Sequence, residues 1–169
     1  MDRDSGPFAL VRTHHMKHDV SGDIAILLYP HCTALDLVGP QHMFSALMGA
    51  RMPFVAKTAD VVVTDTGLPI MPTRTFADCP NDLLILCVPG GAAGTLAAMQ
   101  DAATMDFIRD RGSRAQYVTS VCTGSLILGA AGLLRGYSAT SHWLTVDLLP
   151  SFGAAPVRER VVRDRNRIT

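Results

Sequence analysis

The chain carries no excess charge of either sign. Fifteen Lys and Arg offset fifteen Asp and Glu over 169 residues, for a formal net charge of zero. A protein whose main partner is nucleic acid needs a basic surface to displace counterions from phosphate, so this balance argues against such a partner. No apolar run reaches the roughly 18 residues that read as a membrane-spanning helix. The N-terminal residues lack the apolar central segment of a secretory signal. The four cysteines (Cys32, Cys79, Cys87 and Cys122) form no C-x-x-C pair and no metal-ligand spacing. Together these absences predict reduced thiols and a cytoplasmic protein. Internal repeats and low-complexity segments are also lacking. What is present is 48% hydrophobic and 18% charged, a composition that suits one globular domain with a proper core.

The first twenty residues read apart from the rest. Met1 to Val20 is polar, has no sustained period and holds three of the six histidines. His14, His15 and His18 lack an accompanying acidic or cysteine ligand, so no metal site is expected there and no cofactor anywhere. The predicted organisation is a flexible polar extension over residues 1–20 and a single domain over 21–169.

From Asp23 onward, short apolar runs alternate with helical patterns. Ile24 to Tyr29 has strand length and stops at Pro30. Asp36 to Met48 carries Met43, Phe44, Leu47 and Met48 at helical spacing. Asp36 reads as an N-cap with Pro40 in the first turn; an acid after a first α/β strand also lies where ligands bind. Phe54 to Thr58, Val61 to Thr64 and Leu68 to Phe76 predict strands around an Asp65-Thr66-Gly67 turn, as a hairpin or sheet edge. Leu83 to Val88 is the clearest buried strand. It runs into Pro89-Gly90-Gly91, where glycines permit close approach to a ligand or simply a tight turn. Helices are predicted around Thr95 to Met99 and Met105 to Arg111. The alternation predicts an α/β fold with a mostly parallel sheet.

The stretch from Tyr117 to Gly129 organises the rest. Tyr117 to Val121 is β-branched and aromatic, suited to a buried strand. Leu126, Ile127, Ala130 and Leu133 have helical spacing. Cys122 falls at the junction, with Ser120 and Gly124 small on either side, as a sharp turn that exposes a nucleophile requires. A helix N-terminus there would favour the thiolate. A buried structural cysteine is the competing reading. Further on, Ser141 is a candidate cap for a helix to Leu149. His142, by spacing alone, reads as a surface or packing histidine rather than a partner of the cysteine. Val157 to Val162 and Arg167 to Thr169 predict a final pair of extended segments.

Four separated motifs carry a family resemblance: Asp36 to Pro40, Val88 to Gly91, Val121 to Gly124 and Ala139 to Trp143. In order and approximate spacing they resemble the DJ-1/PfpI superfamily, and the run from Tyr117 to Leu134 is similar to isocyanide hydratases in particular. The resemblance covers Asp23 to Thr169. It implies a flavodoxin-like three-layer sandwich of the class I glutamine amidotransferase type, with a nucleophile elbow at Cys122, and a homodimer. It also implies an activity: cysteine-dependent hydration of an isocyanide to an N-substituted formamide. Cys122 would be the nucleophile and Asp36 the neighbouring acid, with a raised pKa. Thr123 would contact substrate or water. Backbone N–H groups of Gly91 and Thr123, with Gly90 beside them, would face developing negative charge. His142 remains a candidate near the cysteine.

Two departures from the family pattern bear on this. Many members have histidine directly after the cysteine; Thr123 stands here, which disfavours a protease-like Cys-His enzyme and suits the hydratase pattern. Members also continue through a glycine-rich turn into a C-terminal helix, which this sequence lacks after Thr169. The expectation is therefore a shortened family member with impaired activity. Two alternatives belong to other classes. One is a non-catalytic ligand-sensing domain like those of AraC-type transcription regulators. The other is a redox-sensing thiol protein.

Overall fold

The computed structural model describes residues 21–169; the polar N-terminal stretch, with His14, His15 and His18, lies outside the described residues. The chain runs β1 (Gly22–Leu27), α1 (Ala34–Phe44), β2 (Ala50–Arg51), β3 (Phe54–Ala56), β4 (Val62–Val63), β5 (Pro69–Ile70), β6 (Arg74–Thr75) and β7 (Ile85–Val88). It continues through α2 (Ala92–Gln100), α3 (Ala102–Arg114), β8 (Tyr117–Ser120), α4 (Gly124–Ala130) and β9 (Ser138–Ala139). A 3₁₀ helix over Val146–Phe152 precedes β10 (Ala155–Pro156), β11 (Arg163–Asp164) and β12 (Arg167–Ile168).

The main sheet has the order β11-β12-β8-β7-β1-β3-β6, with β2 also paired to β1. All its pairings are parallel except the β11–β12 hairpin. Strands β1 and β7 are buried almost throughout, which is why their sequences read as continuous apolar runs rather than alternating ones. From β1 the chain steps toward β3, whereas from β7 it steps toward β8. Right-handed crossovers therefore put α1 on one face and the mutually packed α2, α3 and α4 on the other. The result is the predicted flavodoxin-like sandwich. Its topological switch point lies between β1 and β7, where α/β sheets bind ligands beyond their strand C-termini.

Several local readings need correction. Asp36 is not a cap: Thr33 precedes the helix, and Asp36 sits in its first turn with Pro40 in the interior. Pro40 has no N–H to give the Asp36 carbonyl four residues back, so the helix is weakened at the acid. Ser141 caps no α-helix. The following residues form a 3₁₀ helix that begins after Thr145, because Pro150 inside the segment interrupts an α-helical ladder. Val157 to Val162 is not a strand; the final pairs are β11 with β12 and β9 with β10. The hairpin read between Val61 and Phe76 is present as antiparallel β4–β5, followed by β6 on the sheet edge.

Candidate active site

Three loops converge beyond the C-terminal ends of β1, β7 and β8. The Thr33 N–H donates to the Gly90 carbonyl at 2.8 Å, and the Val121 N–H donates to the Val88 carbonyl at 3.1 Å. These bonds tie the loops together. Each connection also holds one non-glycine residue at positive φ: His31 at 60° after β1, Ala92 at 35° at the start of α2, and Cys122 at 55° after β8. Left-handed backbone costs an L-residue about 1–2 kcal/mol, and such strain persists where surrounding contacts over-determine it.

Cys122 is the strained apex between β8 and α4. Its carbonyl accepts from the Ser125 hydroxyl, the Ser141 hydroxyl and the His142 N–H, each at 3.3 Å. The sequence-based expectation of a depressed thiol pKa is not met. Burial and the neighbouring Asp36 charge push the thiol up, against the Thr123 N–H and hydroxyl, which pull it down. The physical reason is that α4 is only seven residues long and begins two residues past the cysteine, too short and too late to dominate.

Asp36 reaches the thiol from α1. Its Oδ2 is buried without a hydrogen-bond partner. Burial raises its pKa above the ordinary carboxylate value; the Gly90 N–H and the Cys122 thiol facing it pull the other way. The carboxyl and the thiol thus face each other, and the pKa of each is shifted upward.

Gly90 is the close-approach residue. A Cβ there would lie 2.8 Å from Thr123 Oγ1 and 2.9 Å from Cys122 Cβ. Gly91 is also at the site, but its N–H is donated to Thr123 Oγ1 at 3.1 Å, so in this arrangement it is engaged rather than open to a ligand. Thr123 is buried. His142 reaches Cys122 through its backbone. Its ring lies against Trp143, tilted by 32° with centroids 3.7 Å apart, and its Nδ1 accepts from the Leu144 N–H at 3.3 Å. It is close enough for a charge on it to lower the Asp36 pKa.

Two residues at the site had no sequence signal. Tyr29 donates its hydroxyl to the Pro89 carbonyl at 2.9 Å. Thr95 Oγ1 lies 2.7 Å from Thr123 Oγ1. No spacing rule connects positions 29, 95 and 123; only the packing of the α2 N-terminal turn against the loops after β1 and β8 brings them together. A cavity of about 570 Å³ lies between β3, the β4–β5 hairpin and α2, lined by Ala56, Val62, Phe76 and Ala98 among others, and borders the site at Tyr29. Asp36, Cys122 and Thr123 are not in its lining, so size does not mark it as the reaction site. Among the described residues no cluster of three His, Cys, Asp or Glu side chains is placed to hold a metal ion, and no helix is long and apolar enough to cross a membrane.

Comparison with known proteins fits this geometry. The chain is 52% identical to an isonitrile hydratase of Pseudomonas putida over 146 residues, 86% of this chain, and spans 63% of that protein's length. It superposes on the crystal structure of a ThiJ/PfpI family protein from Pseudomonas syringae with a TM-score of 0.90 and 55% identity, over 99% of this chain and 68% of that one. The HTH-type transcriptional regulator GbdR of Pseudomonas aeruginosa is 29% identical over 86% of this chain, which spans 41% of the regulator. Residues 23–169 match the DJ-1/PfpI family as a whole. The chain belongs to the DJ-1/PfpI family.

Proposed function

We propose that this protein hydrates isocyanides to N-substituted formamides, with Cys122 as nucleophile and Asp36 as the proton-transferring acid and base. The observation that carries this reading is a half-buried carboxyl with a raised pKa facing a thiol on a strained elbow. The 52% identity to a protein named isonitrile hydratase supports the substrate class.

The mechanism starts from ionised Asp36 and protonated Cys122, the order in which a carboxyl and a thiol ordinarily titrate. Asp36 takes the thiol proton as sulfur attacks the terminal carbon of R–N≡C. The S–C bond forms, and the Asp36 acid returns the proton to that carbon, leaving a thioimidate S–CH=N–R. Water then adds to the same carbon: Asp36 takes one of its protons, passes it to nitrogen, and a tetrahedral S–CH(OH)–NH–R results. The C–S bond breaks with its electron pair going to sulfur. The hydroxyl proton returns to the Cys122–Asp36 pair and the formamide leaves. The Thr123 N–H and hydroxyl stabilise negative charge on sulfur at the first and last steps. Gly90 leaves room for that contact. Gly91 acts through the Thr123 hydroxyl it binds. His142 holds the Cys122 carbonyl by its backbone.

The homodimer belongs to the same reading. Leu35 and Met43 on α1 are 76% and 71% exposed, apolar area that suits burial against a second copy.

The test is conversion of an aromatic isocyanide to its formamide by the purified protein, followed in the ultraviolet beside Cys122→Ala. Turnover that vanishes in the variant is the expected result. Isocyanide binding without turnover by the folded protein would overturn the enzyme reading and favour a ligand-sensing domain of the kind the GbdR similarity suggests.

A further inference from the structure

The cavity between β3, the β4–β5 hairpin and α2 measures about 570 Å³, a volume typical of small-molecule sites. Leu28, Ala56, Val62 and Ala98 are buried walls. Phe76 is a further wall, held by its stack on Phe107 with ring centroids 4.3 Å apart. The space exists because small side chains face it: Ala56 from β3, and Ala97 and Ala98 from α2. An interior packed to the usual density would hold larger ones there. The polar side chains of the lining are already paired. The Tyr29 hydroxyl donates to the Pro89 carbonyl at 2.9 Å. Lys57 Nζ donates to Asp101 Oδ1 at 2.7 Å, and the Thr104 hydroxyl donates to Asp101 Oδ2 at 2.6 Å. The Thr58 hydroxyl donates to Asp60 Oδ2 at 2.9 Å. His31, the one other polar side chain on the lining, is exposed. A charged ligand would lose its hydration against apolar walls while Lys57 and Asp101 stay committed to each other. A hydrocarbon ligand gives up no hydrogen bond and releases water from those walls.

We propose that this cavity is a second small-molecule site, distinct from the reaction site, for a neutral and largely hydrocarbon ligand of the size of a substituted benzene. Tyr29 is the partition between the two: it lines the cavity, and its hydroxyl reaches the Pro89 carbonyl at the catalytic turn. Asp36, Cys122 and Thr123 lie outside the lining, so a molecule bound in the cavity does not touch the sulfur. The inference does not depend on Cys122 being a nucleophile, and it stands or falls separately from the proposed function.

The test uses three probes of similar size that differ in charge: para-fluorotoluene, para-fluorobenzoate and para-fluorobenzylammonium. Their binding to the whole protein is followed by fluorine NMR at neutral pH. A second sample has its reaction site closed by alkylation of Cys122 with iodoacetamide, with the modified peptide identified by mass; the other three cysteines are buried. Saturable binding of para-fluorotoluene with a Kd of about 1 mM or tighter is expected in both samples alike. The two ions should bind more weakly by about tenfold or more. Ala97→Phe fills the cavity from an exposed position and should weaken para-fluorotoluene by about tenfold or more. If that variant does not fold, Val63→Phe on the hairpin, also exposed and on the lining, reads the same effect. An absence of saturable binding overturns the proposal. So does equal binding of the ions. So does binding that alkylation abolishes and the cavity-filling variant keeps, which places the probe at the reaction site.

Discussion

Asp36 on α1 faces the Cys122 thiol, and burial together with the Asp36 carboxylate charge pushes that thiol's pKa up. In the proposed mechanism one proton is held between this group on α1 and the thiol on the β8–α4 elbow. The active form has this single proton. It is lost at low pH, when Asp36 is protonated as well, and at high pH, when both groups are ionised. Hydration should follow a bell in pH. The acid limb lies above the ordinary carboxylate range and the alkaline limb above the ordinary thiol value, since both groups are shifted upward. An acid limb at or below pH 3.8, the unshifted carboxylate value, contradicts the pairing. The measurement is kcat/KM against pH.

Asp36→Asn separates function from stability. Removing the charge lowers the Cys122 thiol pKa, read by alkylation, while hydration falls by about 10²–10⁴-fold for want of a proton carrier. Burial holds the folded pKa of Asp36 above its unfolded value. The folded state then binds more protons between the two values, so stability falls as pH rises through that window and the carboxylate is destabilising at neutral pH. Asp36→Asn should raise Tm at pH 7 and leave it unchanged at a pH below both values.

Gly90→Ala should damage the site by contact alone. The added Cβ would meet Thr123 Oγ1 at 2.8 Å and Cys122 Cβ at 2.9 Å, and neither is the far end of a flexible side chain. Overpacking of this kind costs about 1–3 kcal/mol, and here it pushes apart the sulfur and its donors. Urea denaturation should show the loss of stability, and turnover should fall by more than the unfolded fraction explains.

Cys122→Gly and Cys122→Ala should both be inactive but differ in stability. At φ 55° an alanine keeps the steric cost of the cysteine, whereas glycine does not. Cys122→Gly is expected to be more stable than Cys122→Ala by about 1 kcal/mol in chemical denaturation. Equal stabilities would show that the elbow relaxes once sulfur is removed.

Asp101, between α2 and α3, ties the start of α3 to Lys57 just after β3. It caps α3 by accepting from the Thr104 N–H at 2.9 Å, and it pairs with Lys57 Nζ at 2.7 Å. Asp101→Ala should cost about 1 kcal/mol, mostly from the lost cap, because the exposed ion pair adds little. These partners hold its folded pKa below the unfolded value. The contribution is present above the unfolded pKa and disappears as pH falls through the folded one. The wild type and Asp101→Ala should therefore converge in stability at strongly acid pH.

Much of this molecule was determined by sequence alone. Unbroken apolar runs at 24–29 and 83–88 specify buried parallel strands, because a strand covered on both faces has no polar side. The junction at Cys122 is legible for a similar reason: a β-branched run meeting a helical pattern through small residues has few other local solutions. The motifs at Asp36, Gly90, Gly91, Cys122 and Thr123 were visible as separate pieces, and the fold brings all of them to one switch point.

The remainder depends on distances between segments remote in sequence. Ser141 looked like a helix cap and instead donates to the Cys122 carbonyl, a choice made by the chain 19 residues earlier. The thiol looked depressed by a helix and is raised by burial and by Asp36, an effect of desolvation that no local pattern encodes. Tyr29 and Thr95 carried no signal at all, because a hydroxyl acquires meaning only from the donor or acceptor placed beside it. The sequence by itself determined which segments are strands and where the nucleophile turns. The tertiary structure decided which groups share a proton, since hydrogen bonding and desolvation act through space and fall off within a few ångströms.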